Sequence, residues 1–153
     1  MIKSEVSHAR LDESTRVNKA NKILSVLGDY VNIGECNVID IGTGSGHIAT
    51  EMGKVCKSLT SVDLYDERVE KDNYEFVKVD DERLPFKDGM FDVAISNHVI
   101  EHVPNQNLHV KEIRRMLKPG GVFYLATPNR FWYMDPHYKL PFITWLPRFA
   151  NNI

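Results

Sequence analysis

Apolar residues first recur at steps of three and four. Val17, Ala20, Ile23, Leu24, Leu27, Tyr30 and Val31 mark one face of a helix expected over 14–33, with Gly34 as its stop. From residue 37 the period changes. Asn37-Val-Ile-Asp-Ile41 is a short β-branched run, read as a buried strand that breaks into Gly42-Thr-Gly44-Ser-Gly46. A helical pattern follows from about His47 to Lys57. Leu59–Asp63, Tyr74–Asp80 and Phe91–Ser96 read as strands two to four. Leu108, Ile113, Met116 and Leu117 predict a helix stopped by Pro119-Gly120-Gly121, and Val122–Ala126 is the fifth strand. Strands alternating with helices imply βαβ units and a mostly parallel sheet. The connection between strands two and three is short, so its helix should be rudimentary.

Composition narrows the classes without changing this picture. The 153 residues suit one domain, with 42% hydrophobic and 26% charged positions, which are globular values. Nineteen basic against 21 acidic residues give a net charge of −2 and no electrostatic reason to expect nucleic acid. No apolar run reaches the ~20 residues of a spanning helix. Residues 1–13 form a polar arm without a signal-peptide core, so the expected location is cytoplasmic. Cys36 and Cys56 stand outside any CxxC or metal spacing and are read as packing residues; no metal site is expected.

Ligands of open parallel sheets bind beyond the carboxyl ends of the strands. The residues there are the glycine loop, Asp63, Asp80-Asp81 and Asn97-His98. Glycines at 42, 44 and 46 let backbone approach a ligand closely. A dinucleotide fingerprint would be GxGxxG, but position 47 is His, and the GxGxG spacing argues against a nicotinamide or flavin dinucleotide. Asp63 closes strand two and can accept hydrogen bonds from both hydroxyls of a ribose. Asp80 and Asp81 can accept from an adenine amino group, or simply cap a turn.

Val38-Ile-Asp-Ile-Gly-Thr-Gly-Ser-Gly46, Val62-Asp63, Asp80-Asp-Glu-Arg-Leu-Pro-Phe86, Phe91–His102 and Leu117-Lys-Pro-Gly-Gly-Val-Phe123 form five ordered blocks over about 37–129. Together they resemble the class I S-adenosylmethionine-dependent methyltransferases, and most closely the subgroup of the ubiquinone and menaquinone biosynthesis enzymes. The resemblance implies S-adenosylmethionine as cofactor and S-adenosylhomocysteine as product. It implies a Rossmann-like three-layer α/β sandwich in a single domain. Asp40 would help hold the methionine amino group, and Gly42, Thr43 and Gly44 would lie against the methionine part, with Gly46 completing the loop. Asp63 would bind the ribose, Leu64 would pack on adenine, and Asp80 would reach the adenine amino group beside the backbone of Asp81. Asn97 would offer main-chain contacts near the methionine. His102 is the candidate general base, with Glu101, His137 or no base as alternatives.

Full members of the family add two strands after the fifth. Residues 130–153 instead carry Pro136, Pro141 and Pro147 among seven aromatics from Phe131 to Phe149. That tail is expected to cover the fifth strand's edge, to shape the acceptor pocket, or to join a homodimer. The leading expectation is methyl transfer, O-methylation first, to a small-molecule or glycan/lipid-intermediate acceptor. The rival is a cofactor-binding but incomplete module that acts only with a partner.

Overall fold

The computed structural model describes residues 17–69, 71–80 and 83–127. Asp81 and the aromatic tail lie outside them. Helix α1 runs to residue 28 from 17, and a single 3-10 turn, Ile33–Glu35, leads into strand β1, Asn37–Ile41. Then come α2, His47–Gly53, and β2, Ser58–Asp63, followed by β3, Glu75–Lys78, and β4, Phe91–Asn97. Helix α3, Gln106–Met116, runs directly into β5, Leu117–Ala126. The order across the sheet is β3-β2-β1-β4-β5 and every pairing is parallel. This is the Rossmann-like arrangement, with β1 and β4 flanking the point where the strand order reverses.

Both faces of the sheet are covered, so the central strands are apolar throughout rather than alternating. On one face Ile23 and Leu27 of α1 and Ala49 and Met52 of α2 pack on Val38, Val93 and Ile95. On the other, Ile113 and Met116 of α3 meet Ile39, Ala94 and Phe91. Helix α3 is well specified locally. The Asn105 side chain accepts the Leu108 N–H at 3.1 Å, and Arg114 and Arg115 lie at the negative end of the helix dipole. Cys36 and Cys56 are free thiols packed against the first cluster, and burial pushes both thiols up.

Strand β3 is Glu75–Lys78, shorter than the expected Tyr74–Asp80, so Asp80 lies beyond its end, and three further boundaries differ from the sequence pattern in ways that packing explains. Helix α1 closes at residue 28, and Tyr30 and Val31 instead form turn bonds back to Leu27. Helix α2 ends at Gly53, where a side chain would sit 2.4 Å from the Asn73 carbonyl oxygen. Leu117 leaves the helix for extended backbone and pairs with Phe91. Lys118 to Gly121 then bulge out, with Gly120 at φ 79°, before Val122 meets Val93. The Pro-Gly-Gly sequence is therefore a bulge inside the strand rather than a gap before it. Between β2 and β3, where the short spacing predicts a rudimentary helix, residues 64–69 and 71–74 contain none.

One polar clamp ties α3 to the connection entering β4. Arg115 donates to both Glu112 carboxylate oxygens at 2.5 and 3.0 Å, to the carbonyls of Phe86 and Leu84, and to Asp88. Buried Glu112 also accepts the Leu84 N–H at 3.0 Å. Removing the guanidinium strands a buried carboxylate. Arg115→Met is therefore expected to cost about 2–4 kcal/mol in urea unfolding, and Glu112→Gln in the same chain should recover part of it. Additive effects of the two substitutions would refute the coupling.

Candidate functional site

At the carboxyl ends of β1, β2 and β4 lies a cleft of about 500 Å³, within the range of small-molecule pockets. Its floor is the glycine loop. Gly42, Gly44 and Gly46 all have positive φ, at 77°, 52° and 83°, a region that other residues enter only with strain. A Cβ on Gly42 would lie 2.2 Å from a Val99 methyl, so the loop and the turn after β4 touch through a missing side chain.

The loop is laced to β2. The Gly42 and Thr43 N–H groups donate to the Val62 carbonyl at 2.9 and 3.2 Å. The Gly44 N–H donates to Asp63 Oδ2 at 2.7 Å, and the Leu64 N–H to Asp63 Oδ1 at 2.7 Å. Each carboxylate oxygen thus takes one backbone donor and keeps a lone pair for another.

Asp40 is 2% exposed beneath this loop. Burial pushes its carboxyl up to about 7, the charge of Asp63 adds to the effect, and the Thr43 hydroxyl opposes it. A buried acid close to a second acid favours a cationic ligand group, which would hold both ionised. Such a site is ill suited to a pyrophosphate.

Beyond β4 the chain turns sharply. His98 sits at φ 59°, a left-handed conformation uncommon for a non-glycine residue. Its Nδ1 lies 3.5 Å from Glu101 Oε1, while Glu101 Oε2 is buried without a hydrogen-bond partner among the described residues. The His102 N–H closes the turn on the Val99 carbonyl.

Of the residues singled out in the sequence, Gly42, Gly44, Asp63, Leu64, Asp80 and His102 line the cleft together. Asp40 and Thr43 are buried next to it. Gly46 does not line it; it packs under Tyr74 and Arg68. Asn97 opens instead onto a separate pocket of about 120 Å³ with Thr43, Ser45, His47 and Lys19. Among the described residues no three His, Cys, Asp or Glu side chains are placed to hold a metal ion.

The cleft also includes His109 and Glu112 of α3, which the sequence reading passed over. Buried His109 has Nε2 3.1 Å from the Ser96 hydroxyl. The available signal was periodic. His109, Glu112, Ile113 and Met116 fall on one helical face, so two polar residues share the stripe that packs on the sheet.

A family model described as "Methyltransferase domain" matches residues 6–152. A demethylmenaquinone methyltransferase of Chlorobaculum tepidum is 32% identical over 125 residues, 76% of this chain and 52% of that protein. A ubiquinone biosynthesis O-methyltransferase of Xanthomonas oryzae pv. oryzae is 29% identical over 117 residues, 67% of this chain and 48% of that protein. The crystal structure of a SAM-dependent methyltransferase from Methanosarcina mazei superposes with TM-score 0.53 at 26% identity, covering 61% of this chain and 52% of that one. The chain spans about half the length of these two curated relatives. With the five-stranded parallel sheet and the acid-flanked glycine loop, these likenesses identify the chain as a member of the methyltransferase-domain family, in its class I, S-adenosylmethionine-dependent branch.

Proposed function

We propose that the protein transfers a methyl group from S-adenosylmethionine to an oxygen of a small-molecule or glycan/lipid-intermediate acceptor. The observation that carries this reading is the cleft at the carboxyl ends of β1, β2 and β4. There one ionisable acid lies buried under the glycine loop and a second rims it.

The chemistry of the donor set fits the cofactor, which supplies an activated methyl on a sulfonium when bound. Asp40, with Thr43, sits at the loop where an ammonium would lie, and Gly42 and Gly44 leave room for backbone contact. Asp63 has lone pairs left for two ribose hydroxyls. Leu64, 53% exposed, has apolar surface to cover an adenine, with Asp80 at the same end of the cleft and Asp81 next in sequence. Asn97 serves from the neighbouring pocket, beside Thr43. Gly46 completes the loop, its bare backbone seated against Tyr74 and Arg68.

A neutral leaving group places little electrostatic demand on the protein. Its residues need to align the acceptor behind the methyl and take up one proton. His102 lines the cleft and is assigned as that base. His102→Ala is expected to lower turnover by about 100-fold or more and leave cofactor affinity intact. Full activity in the variant would remove it from the mechanism. The O-methyl transfer in the name of the Xanthomonas relative supports oxygen as the methylated atom.

A second reading is favoured by the position of β5 at the edge of the described sheet: a cofactor-binding module that acts only with a partner, or as a homodimer across that edge. No helix among the described residues is long and apolar enough to cross a membrane.

Calorimetric titration of the chain with S-adenosylhomocysteine tests the cofactor site directly. Micromolar binding supports it, and no binding at millimolar ligand refutes it. Turnover assays over a panel of hydroxylated acceptors then separate transfer from binding alone.

A further inference from the structure

The segment after β2 is unusual for a parallel βαβ crossover. Residues 64–69 and 71–74 form no helix, yet they lie against the glycine loop. The Val69 N–H donates to the Ser45 carbonyl at 3.1 Å. A Cβ on Gly46 would sit 2.5 Å from the Tyr74 hydroxyl oxygen and 3.3 Å from Arg68 Cγ, so both side chains rest on the bare backbone of the loop.

Arg68 organises this contact. Its side chain is only 10% exposed although it carries a full charge. Nε and Nη2 bind the two Asp66 oxygens at 2.7 and 2.9 Å, a bidentate fork. The guanidinium carbon lies 4.2 Å from the centre of the Phe76 ring and 5.5 Å from that of Tyr74. Lys71 adds a second cation to Asp66 at 3.3 Å. Arg68 is thereby held at its head by Asp66 and Phe76 and along its stem by Gly46. The next residue's N–H holds Ser45.

Residues 42 to 45 are consequently bonded in sequence to β2 and its continuation: Gly42 and Thr43 to Val62, Gly44 to Asp63, and Ser45 to Val69. A loop with three glycines has little stiffness of its own, because each populates many backbone states when free. An outside support would remove that freedom before a ligand arrives, and preorganisation of this kind raises affinity without adding a contact.

We propose that the post-β2 segment is a brace that holds the glycine loop in its ligand-binding form, with Arg68 and Tyr74 as positioning residues for the cofactor. Neither residue lines the cleft; both act through Ser45 and Gly46. The proposal rests on the cofactor reading above.

The test is calorimetric titration of S-adenosylhomocysteine into the wild-type chain and into Arg68→Met, Arg68→Lys and Tyr74→Phe. Thermal midpoints and ligand-free amide exchange at residues 44–47 are measured on the same samples. Arg68→Met keeps a stem to pack on Gly46 but loses the fork and the stacking. It is expected to weaken binding by about tenfold or more and to speed exchange at 44–47 while leaving β4 amides protected. Arg68→Lys, which keeps the charge but not the planar fork, should not restore the affinity.

Affinity unchanged in Arg68→Met, with the wild type binding, overturns the brace and leaves the cofactor reading standing. A lower thermal midpoint with unchanged affinity in Arg68→Met and Tyr74→Phe overturns it likewise. A wild-type chain that binds no S-adenosylhomocysteine overturns the cofactor reading, and the positioning role falls with it. If Arg68→Met does not fold, Arg68→Lys decides by the same criterion.

Discussion

Asp63→Ala is expected to weaken S-adenosylhomocysteine binding by about 2–4 kcal/mol, a rise in Kd of roughly 30- to 1,000-fold. The size follows from the carboxylate's two tasks. In the free protein it fixes the loop, because Oδ2 takes the Gly44 N–H and Oδ1 the Leu64 N–H. Its remaining lone pairs are assigned to the two ribose hydroxyls. Alanine removes the charged acceptors and releases the loop together. Asp63→Asn keeps one acceptor oxygen and should lose less. Calorimetry on the three proteins checks the order, and equal affinities would take Asp63 out of the site.

Asp40→Asn should move stability and binding in opposite directions. The Asp40 carboxyl rises from its ordinary 3.8 to about 7 in the folded chain, chiefly through burial and then through Asp63. Native protein therefore holds this proton more tightly than unfolded protein does. Between about pH 4 and pH 7 the folded state binds more protons, so this residue's contribution makes stability fall as pH rises. Asparagine carries no such dependence. At pH 8 the variant should be more stable than wild type, by on the order of 2–4 kcal/mol, with the advantage shrinking toward pH 4. Urea melts at the two pH values measure it, and equal pH slopes would refute the assignment.

The same substitution should abolish the preference for a cationic ligand group. In the wild type, binding below pH 7 should release a proton as Asp40 ionises against the ligand's ammonium. That release appears as a dependence of the calorimetric enthalpy on the buffer's ionisation heat. A site that is destabilising when empty and compensated when filled is a common arrangement in binding clefts.

The strands were legible because a parallel sheet covered on both faces demands uninterrupted apolar runs. Val38, Ile39 and Ile41 can occur in that density only where both sides are dry. The glycine loop was legible for a related reason, since its spacing answers a backbone demand and all three positions have the positive φ that glycine permits. Helix ends were less so. Leu117 fits the α3 stripe by period, but pairing with Phe91 takes it into the sheet, and nothing local announces that contact. His109 and Glu112 were missed because the cleft is built from α3 only after the helix has docked. Arg68 belongs to no motif in the sequence. Its aromatic seat is formed by Tyr74 and Phe76, which follow it in sequence across the start of β3.

The place of β1 at the centre of the sheet bears on how the molecule comes into being. Ile39 pairs with Thr60 on one side and with Ala94 on the other. The second partner is encoded far downstream, and a parallel pairing at that separation closes a long loop before it is rewarded. A nascent chain on the ribosome therefore has no complete cleft until β4 has paired with β1 and α3 has docked behind it. Recognition of the cofactor then reports completion of synthesis through α3. Ligand present in the cell would act as a thermodynamic latch, adding RT ln(1 + [L]/Kd) to the free energy of unfolding only once the late strand is home.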